Sequence, residues 1–103
     1  MLTVFVHNVL FKWKPGTTPA QIDEITAALG TLPGRVPSIR SYTIGSDLGL
    51  SQPEVSWDFS IVAQFDDEAG WRDYVSHPDH EAVRDQIVAP HIAARATAQF
   101  TVK

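Results

Sequence analysis

Hydrophobic and polar positions alternate at a period of two from Thr3 to Trp13, the signature of a β-strand. One face carries Phe5, His7, Val9, Phe11 and Trp13, and the other Val4, Val6, Asn8, Leu10 and Lys12. Both faces are largely apolar, so both are expected to be covered. Trp57 to Phe65 alternates as clearly, with Trp57, Phe59, Ile61, Ala63 and Phe65 on one side. Ile39 to Ile44 reads as a shorter strand. Ala96, Ala98, Phe100 and Val102 alternate with Arg95, Thr97, Gln99 and Thr101 to give a last one.

Helical spacing replaces this alternation twice. Thr18-Pro19-Ala20-Gln21 combines an N-cap hydroxyl, proline at the first helical position and glutamine three residues after the cap, so a helix starts there. Ile22, Ile25 and Leu29 mark its buried side, and Gly30 ends it. Leu32 to Pro37 holds too many breakers for regular structure. A second helical stretch runs from about Asp67 to Ala93, with Asp66, Asp67 and Glu68 at its N-terminus, where the helix dipole favours negative charge. Pro78 interrupts it, because proline removes an N–H and clashes with the preceding turn. The order is therefore β-α-β-β-α-β with a split second helix: an α+β, ferredoxin-like sandwich with a four-stranded antiparallel sheet and helices on one face. The apolar row Val4, Val6 and Leu10 then calls for a second copy of the sheet, hence a homodimer through the sheet face.

The break at Pro78 matters for chemistry. In an unbroken helix, Tyr74 and His80 stand six positions apart and point away from each other. A kink lets the phenol and the imidazole converge, and Trp71, Tyr74, His77 and His80 fall within ten residues. His80 is placed in the first turn of its helix, whose positive end favours a neutral imidazole, as a general base requires; Asp79 and Glu81 push the other way. Tyr74 can donate to a carbonyl or a developing enolate. If the His7 row faces the helices, all three side chains meet over one cavity. The competing reading is structural: His80 packs the kink, Tyr74 is core, and His77 caps the second helix. His91 follows His80 by about three turns and reads as a solvated residue near a helix end. His77, His80 and His91 lack the spacing of familiar zinc helices, so no metal site is expected.

Composition narrows the classes. The chain has 103 residues and a net charge of −4, with 8 Lys and Arg against 12 Asp and Glu. That length fits one domain over residues 1–103, and that charge argues against nucleic acid and anionic membranes as partners. With no cysteine, disulfides, thiolate metal sites and a cysteine nucleophile are out. No apolar run approaches the roughly 20 residues of a membrane span, and no leader pattern opens the chain; cytoplasmic residence is the default expectation. No Gly-rich loop leads a strand into a helix, so nucleotide cofactors have no support.

His7-Asn8-Val9-Leu10-Phe11-Lys12-Trp13-Lys14 resembles the His-x-Val-x-Phe-Lys opening strand of the stress-responsive dimeric α/β-barrel (Dabb) family. Tyr74-Val75-Ser76-His77-Pro78-Asp79-His80 resembles its Tyr-x-x-His-Pro-x-His segment. Pro90 falls where that family's second helix ends. The resemblance implies a homodimer whose two sheets close into a barrel, and a distant similarity to a plant polyketide cyclase that uses no cofactor, olivetolic acid cyclase. It implies His80 and Tyr74 as the catalytic pair and His7 in the same cavity. Phe5, Val9, Phe59, Trp71 and Ile87 are expected to line the substrate site. Phe59 stands where the cyclase carries a further histidine, so the reaction need not be the same. The expectation is a lyase, cyclase or isomerase acting on a carbonyl-bearing small molecule, without cofactor; a cofactor-free monooxygenase is a variant by fold analogy alone. The alternative is a non-catalytic, stress-associated or ligand-binding dimer.

Overall fold

A computed structural model describes residues 3–103; the first two residues of the domain read in the sequence lie outside the described residues. Strand β1 (Val4–Trp13) is followed by helix α1 (Pro19–Gly30), β2 (Ser41–Ser46), β3 (Phe59–Phe65), α2 (Glu68–Val75), α3 (Pro78–Val83) and β4 (Ile92–Val102). The strands form one sheet in the order β2-β3-β1-β4, with every neighbouring pair antiparallel. This is the ferredoxin-like arrangement expected from the element order.

Local chemistry sets most boundaries. The Thr18 hydroxyl accepts from the Gln21 N–H at 3.2 Å while the Gln21 side chain accepts from the Thr18 N–H at 2.9 Å, closing a capping box. Asp67 caps α2 by accepting from the Gly70 N–H at 3.0 Å. β3 starts at Phe59, two residues later than the alternation predicts. The Asp58 carboxylate there accepts from the Trp13 N–H at 2.8 Å, so a side chain takes the place of a ladder carbonyl and Trp57 falls outside the strand. β2 starts at Ser41 rather than Ile39, because Val36 to Ile39 closes a turn through the Ile39 N–H to the Val36 carbonyl at 3.2 Å.

The second helical stretch also ends earlier than expected. From Arg84 to Val88 it widens into a π-turn, with the Ala89 N–H donating to the Arg84 carbonyl five residues back. A 3-10 turn over Ala89–His91 then leads into β4 at Ile92. Pro90 cannot donate to the preceding turn, which ends regular helix there.

The core lies between the helices and the inner sheet face. Phe59, Phe65, Ile25, Leu32 and Val36 are its largest fully buried side chains, each stabilising the fold by about 1.5–3 kcal/mol on transfer arguments. Register puts Phe5, His7, Val9 and Phe11 on this inner face, and Val4, Val6, Asn8 and Leu10 on the outer one with Val62, Ala96, Ala98, Phe100 and Val102. Among the described residues no helix covers the outer face within one chain. Phe100 and Val102 remain 52% and 48% exposed, and the buried Asn8 Oδ1 has no hydrogen-bond partner.

Candidate active site

The kink is built by His77 and Pro78. His77 is extended (φ −67°, ψ 133°), as the residue before a proline is biased to be, and its Nδ1 accepts from the Asp79 N–H at 3.1 Å. His77 is therefore the N-cap of α3, with Pro78 at the first helical position. This turn folds α3 back so that His80 lies over Tyr74, with ring centroids 4.1 Å apart.

His80 is fixed by a second bond. Its Nδ1 lies 3.2 Å from the carbonyl of Val75, one of the carbonyls that the end of α2 leaves without a helical partner. A carbonyl only accepts, so Nδ1 carries the proton and Nε2 carries the lone pair. Nε2 has no hydrogen-bond partner among the described residues. Burial pulls the His80 pKa below the usual imidazole range, against the raising effect of the Val75 carbonyl. The ring is neutral at pH 7 and basic at Nε2.

His7 lies across the cavity on β1, 6.2 Å from Tyr74 and 5.8 Å from Trp71 between ring centroids. The β1–β4 register sets it opposite Gln99, whose amide Nε2 donates to His7 Nδ1 at 2.8 Å. That leaves the His7 proton on Nε2, the opposite tautomer to His80. Burial, with the charges of His80 and Arg95, lowers the His7 pKa to about 4. One imidazole thus offers a lone pair and the other an N–H.

Tyr74 is buried in the core, and its hydroxyl meets that of Tyr42 on β2 at 2.9 Å. Burial raises the pKa of both phenols; the hydrogen bond raises Tyr42 further and pulls Tyr74 back down. Either hydroxyl can be the donor of this bond; in the arrangement where Tyr42 donates, the Tyr74 proton is left for a cavity ligand.

His7, Tyr74 and His80 line a single cavity of about 340 Å³, within the range of small-molecule sites. Trp71 and Val9 line it too. Phe5, Phe59 and Ile87 do not, which corrects the expectation for those three. Phe59 is only 1% exposed and packs against Phe11 and Trp13; Phe5 stacks behind Trp71 at 5.7 Å; Ile87 packs at the core's margin. The π-turn over Arg84–Val88 contains Ile87, and it is Val88 that lines the wall. Among the described residues, no group of three or more His, Cys, Asp or Glu side chains is arranged to hold a metal ion. His77, His80 and His91 do not converge on one.

Sequence reasoning did not single out Arg84, Arg95, Thr97 and Gln99, which complete the wall, or Tyr42 behind Tyr74. The last strand's polar row was the available signal. On an edge strand whose apolar row joins the outer sheet face, the polar row has to face inward.

Residues 5–102 match the Stress responsive A/B Barrel Domain, Dabb. The chain belongs to the Dabb family. This Dabb chain is 38% identical to a dimeric ferredoxin-like protein of unknown function from Thermobifida fusca YX, with 99% of this chain and 93% of that one covered at a TM-score of 0.88. A dimeric protein of unknown function from Bacteroides fragilis shares the fold at 23% identity, with 96% of each chain covered and a TM-score of 0.81. The hydroxynitrile lyase of Passiflora edulis does so at 18% identity, covering 97% of this chain and 94% of that one, with a TM-score of 0.84. No curated protein matches the sequence. No helix among the described residues is long and apolar enough to cross a membrane.

Proposed function

We propose that this Dabb domain is a cofactor-independent lyase, cyclase or isomerase that enolises a carbonyl-bearing small molecule. The supporting observation is the complementary protonation of two imidazoles around one cavity, a lone pair on His80 Nε2 and an N–H on His7 Nε2, with the Tyr74 hydroxyl between them and free to donate when Tyr42 donates to it. In the proposed step, the bond between hydrogen and the carbon next to the carbonyl breaks. The proton passes to His80 Nε2, and the electron pair moves onto the carbonyl oxygen. Tyr74 and His7 donate hydrogen bonds to that oxygen as its charge develops. The enolate then attacks a second carbonyl, expels a leaving group or takes the proton back at another carbon, giving cyclase, lyase or isomerase chemistry.

The occurrence of an enzyme on this fold, the hydroxynitrile lyase of Passiflora edulis, agrees with this reading as an analogy of fold. The assembly we propose is a homodimer through the outer sheet face, where Phe100 and Val102 stand exposed; relatives from Thermobifida fusca, Bacteroides fragilis and Jannaschia are described as dimeric. A second reading, a non-catalytic ligand-binding dimer, draws support from His77 and His80, each of which gives one ring nitrogen to the backbone.

Exchange of α-protons for deuterium, followed by proton NMR on aryl methyl ketones and 1,3-diketones in D2O, separates the two. Enolisation predicts exchange above the buffer rate, falling roughly a hundredfold or more in His80→Gln and by about tenfold or more in Tyr74→Phe. Binding of these ketones with exchange no faster than in buffer defeats the catalytic reading and leaves the second.

A further inference from the structure

The edge strand β4 forms one side of the cavity. Its pairing with β1 sets Arg95 opposite Phe11, Thr97 opposite Val9 and Gln99 opposite His7, all on the helical side of the sheet. Among the described residues no helix packs closely on this row. Arg95, Thr97 and Gln99 are exposed to solvent while also lining the cavity, so this edge is its mouth.

The charge at the mouth opposes that of the chain. The protein carries −4 overall, yet both charged side chains in the cavity wall are arginines, Arg84 and Arg95. Arg84 is already neutralised. Its Nε donates to Asp85 at 2.8 Å and its Nη2 donates to the other Asp85 oxygen at 3.2 Å, with Glu81 at 3.8 Å. Arg95 makes no ion pair and no side-chain hydrogen bond among the described residues. A guanidinium in that state presents a planar fork that matches a carboxylate with two parallel N–H···O bonds.

We propose that the cavity takes a carbonyl compound that also bears a carboxylate, which Arg95 holds at the mouth while the carbonyl reaches His7 and Tyr74. The inference rests on the enolisation reading and names its substrate class. Spacing bounds the ligand's length. Arg95 and Gln99 are separated by about 13 Å along the strand, and Gln99 is bonded to His7. The ligand has to bridge what the arginine's own reach leaves of that gap, which acids of graded chain length measure. Between the two ends the wall presents Val9 and Thr97, with Phe11 beside Arg95. The charge of Arg95 is also felt at His7, whose imidazole it helps to keep neutral, so the two ends of the site lie within electrostatic reach of each other.

The test is calorimetric titration of the full chain with 4-oxo-4-phenylbutanoate, its homologues one carbon shorter and longer, their methyl esters, and inorganic phosphate. The expected result is that at least one acid binds roughly five- to twentyfold tighter than its ester at low salt. That preference falls to within about twofold in Arg95→Gln, persists in Arg84→Gln, and weakens at high salt. Equal binding of acids and esters, or a preference that survives Arg95→Gln, overturns the substrate class. So does phosphate binding as tightly as the acids through Arg95, because the site is then a general anion site. Ester binding that shifts the His7 and His80 ring signals in NMR, without acid preference, leaves enolisation standing and removes only the carboxylate. Binding by none of the probes removes both.

Discussion

His7 makes the fold sensitive to mild acid. Its side chain lies in the inner row of β1, with the residue only 8% exposed, and its pKa falls from 6.5 to about 4. Between those two values the unfolded chain takes up a proton that the folded chain refuses. Stability therefore rises with pH across that window. His7's full contribution is present above pH 6.5 and is lost as pH falls toward 4. The difference in proton affinity corresponds to about 3 kcal/mol, a large share of a small domain's total. His80 acts in the same direction, since burial lowers it too, so the His7 share has to be isolated by substitution. Urea unfolding of the native protein and His7→Gln, at one fixed protein concentration, gives the comparison at pH 7.5, 6, 5 and 4. Glutamine keeps a polar side chain for Gln99 and has no charge to gain. Between pH 7.5 and 4 the native protein is expected to lose about 3 kcal/mol more than the variant. Parallel loss in the two proteins would refute the argument, by showing that His7 takes up its proton in the folded state without penalty.

Two further expectations follow from the outer sheet face and the kink. Phe100→Asp sets a carboxylate in the exposed apolar row and is expected to yield a monomer in sedimentation equilibrium at concentrations where the native chain is a dimer; an unchanged mass moves the dimer contact elsewhere. His77→Ala removes the side-chain cap of α3 and is expected to cost about 1 kcal/mol in chemical denaturation, with α-proton exchange within about twofold of native. A collapse of exchange in a folded His77→Ala protein would give His77 a role in the chemistry.

Much of this architecture is legible in the pattern of side chains. Alternation along β1 and β3, the Thr18–Gln21 box and Pro78 each report a local rule, and each element stands within a few residues of where that rule puts it. The Tyr74–His80 approach is legible for the same reason, because a proline at a helix start has few geometries. What escaped depends on pairing rather than on local preference. The inward turn of Arg95, Thr97 and Gln99 follows from the β1–β4 register, and only the fold says that Ala96, Ala98 and Phe100 belong to the opposite face. Tyr42 shares a hydroxyl contact with Tyr74 across 32 positions of sequence, a relation no spacing rule contains. Phe59 alternates like a site residue yet is sealed in the core, because a period of two gives a face and not a depth.

The edge strand gives this protein two independent materials in one wall. Val9, Ile61, Tyr74 and Val88 are held by the packing that keeps the molecule folded, and altering any of them disturbs both shape and chemistry. Arg95 and Thr97 stand in water on the open side and contribute little to that packing, whereas Gln99 on the same row is tied to His7. Replacing the first two leaves the scaffold intact while changing what the mouth attracts. Descendants of one such chain can drift toward new guests through those two positions, with the Gln99–His7 bond kept.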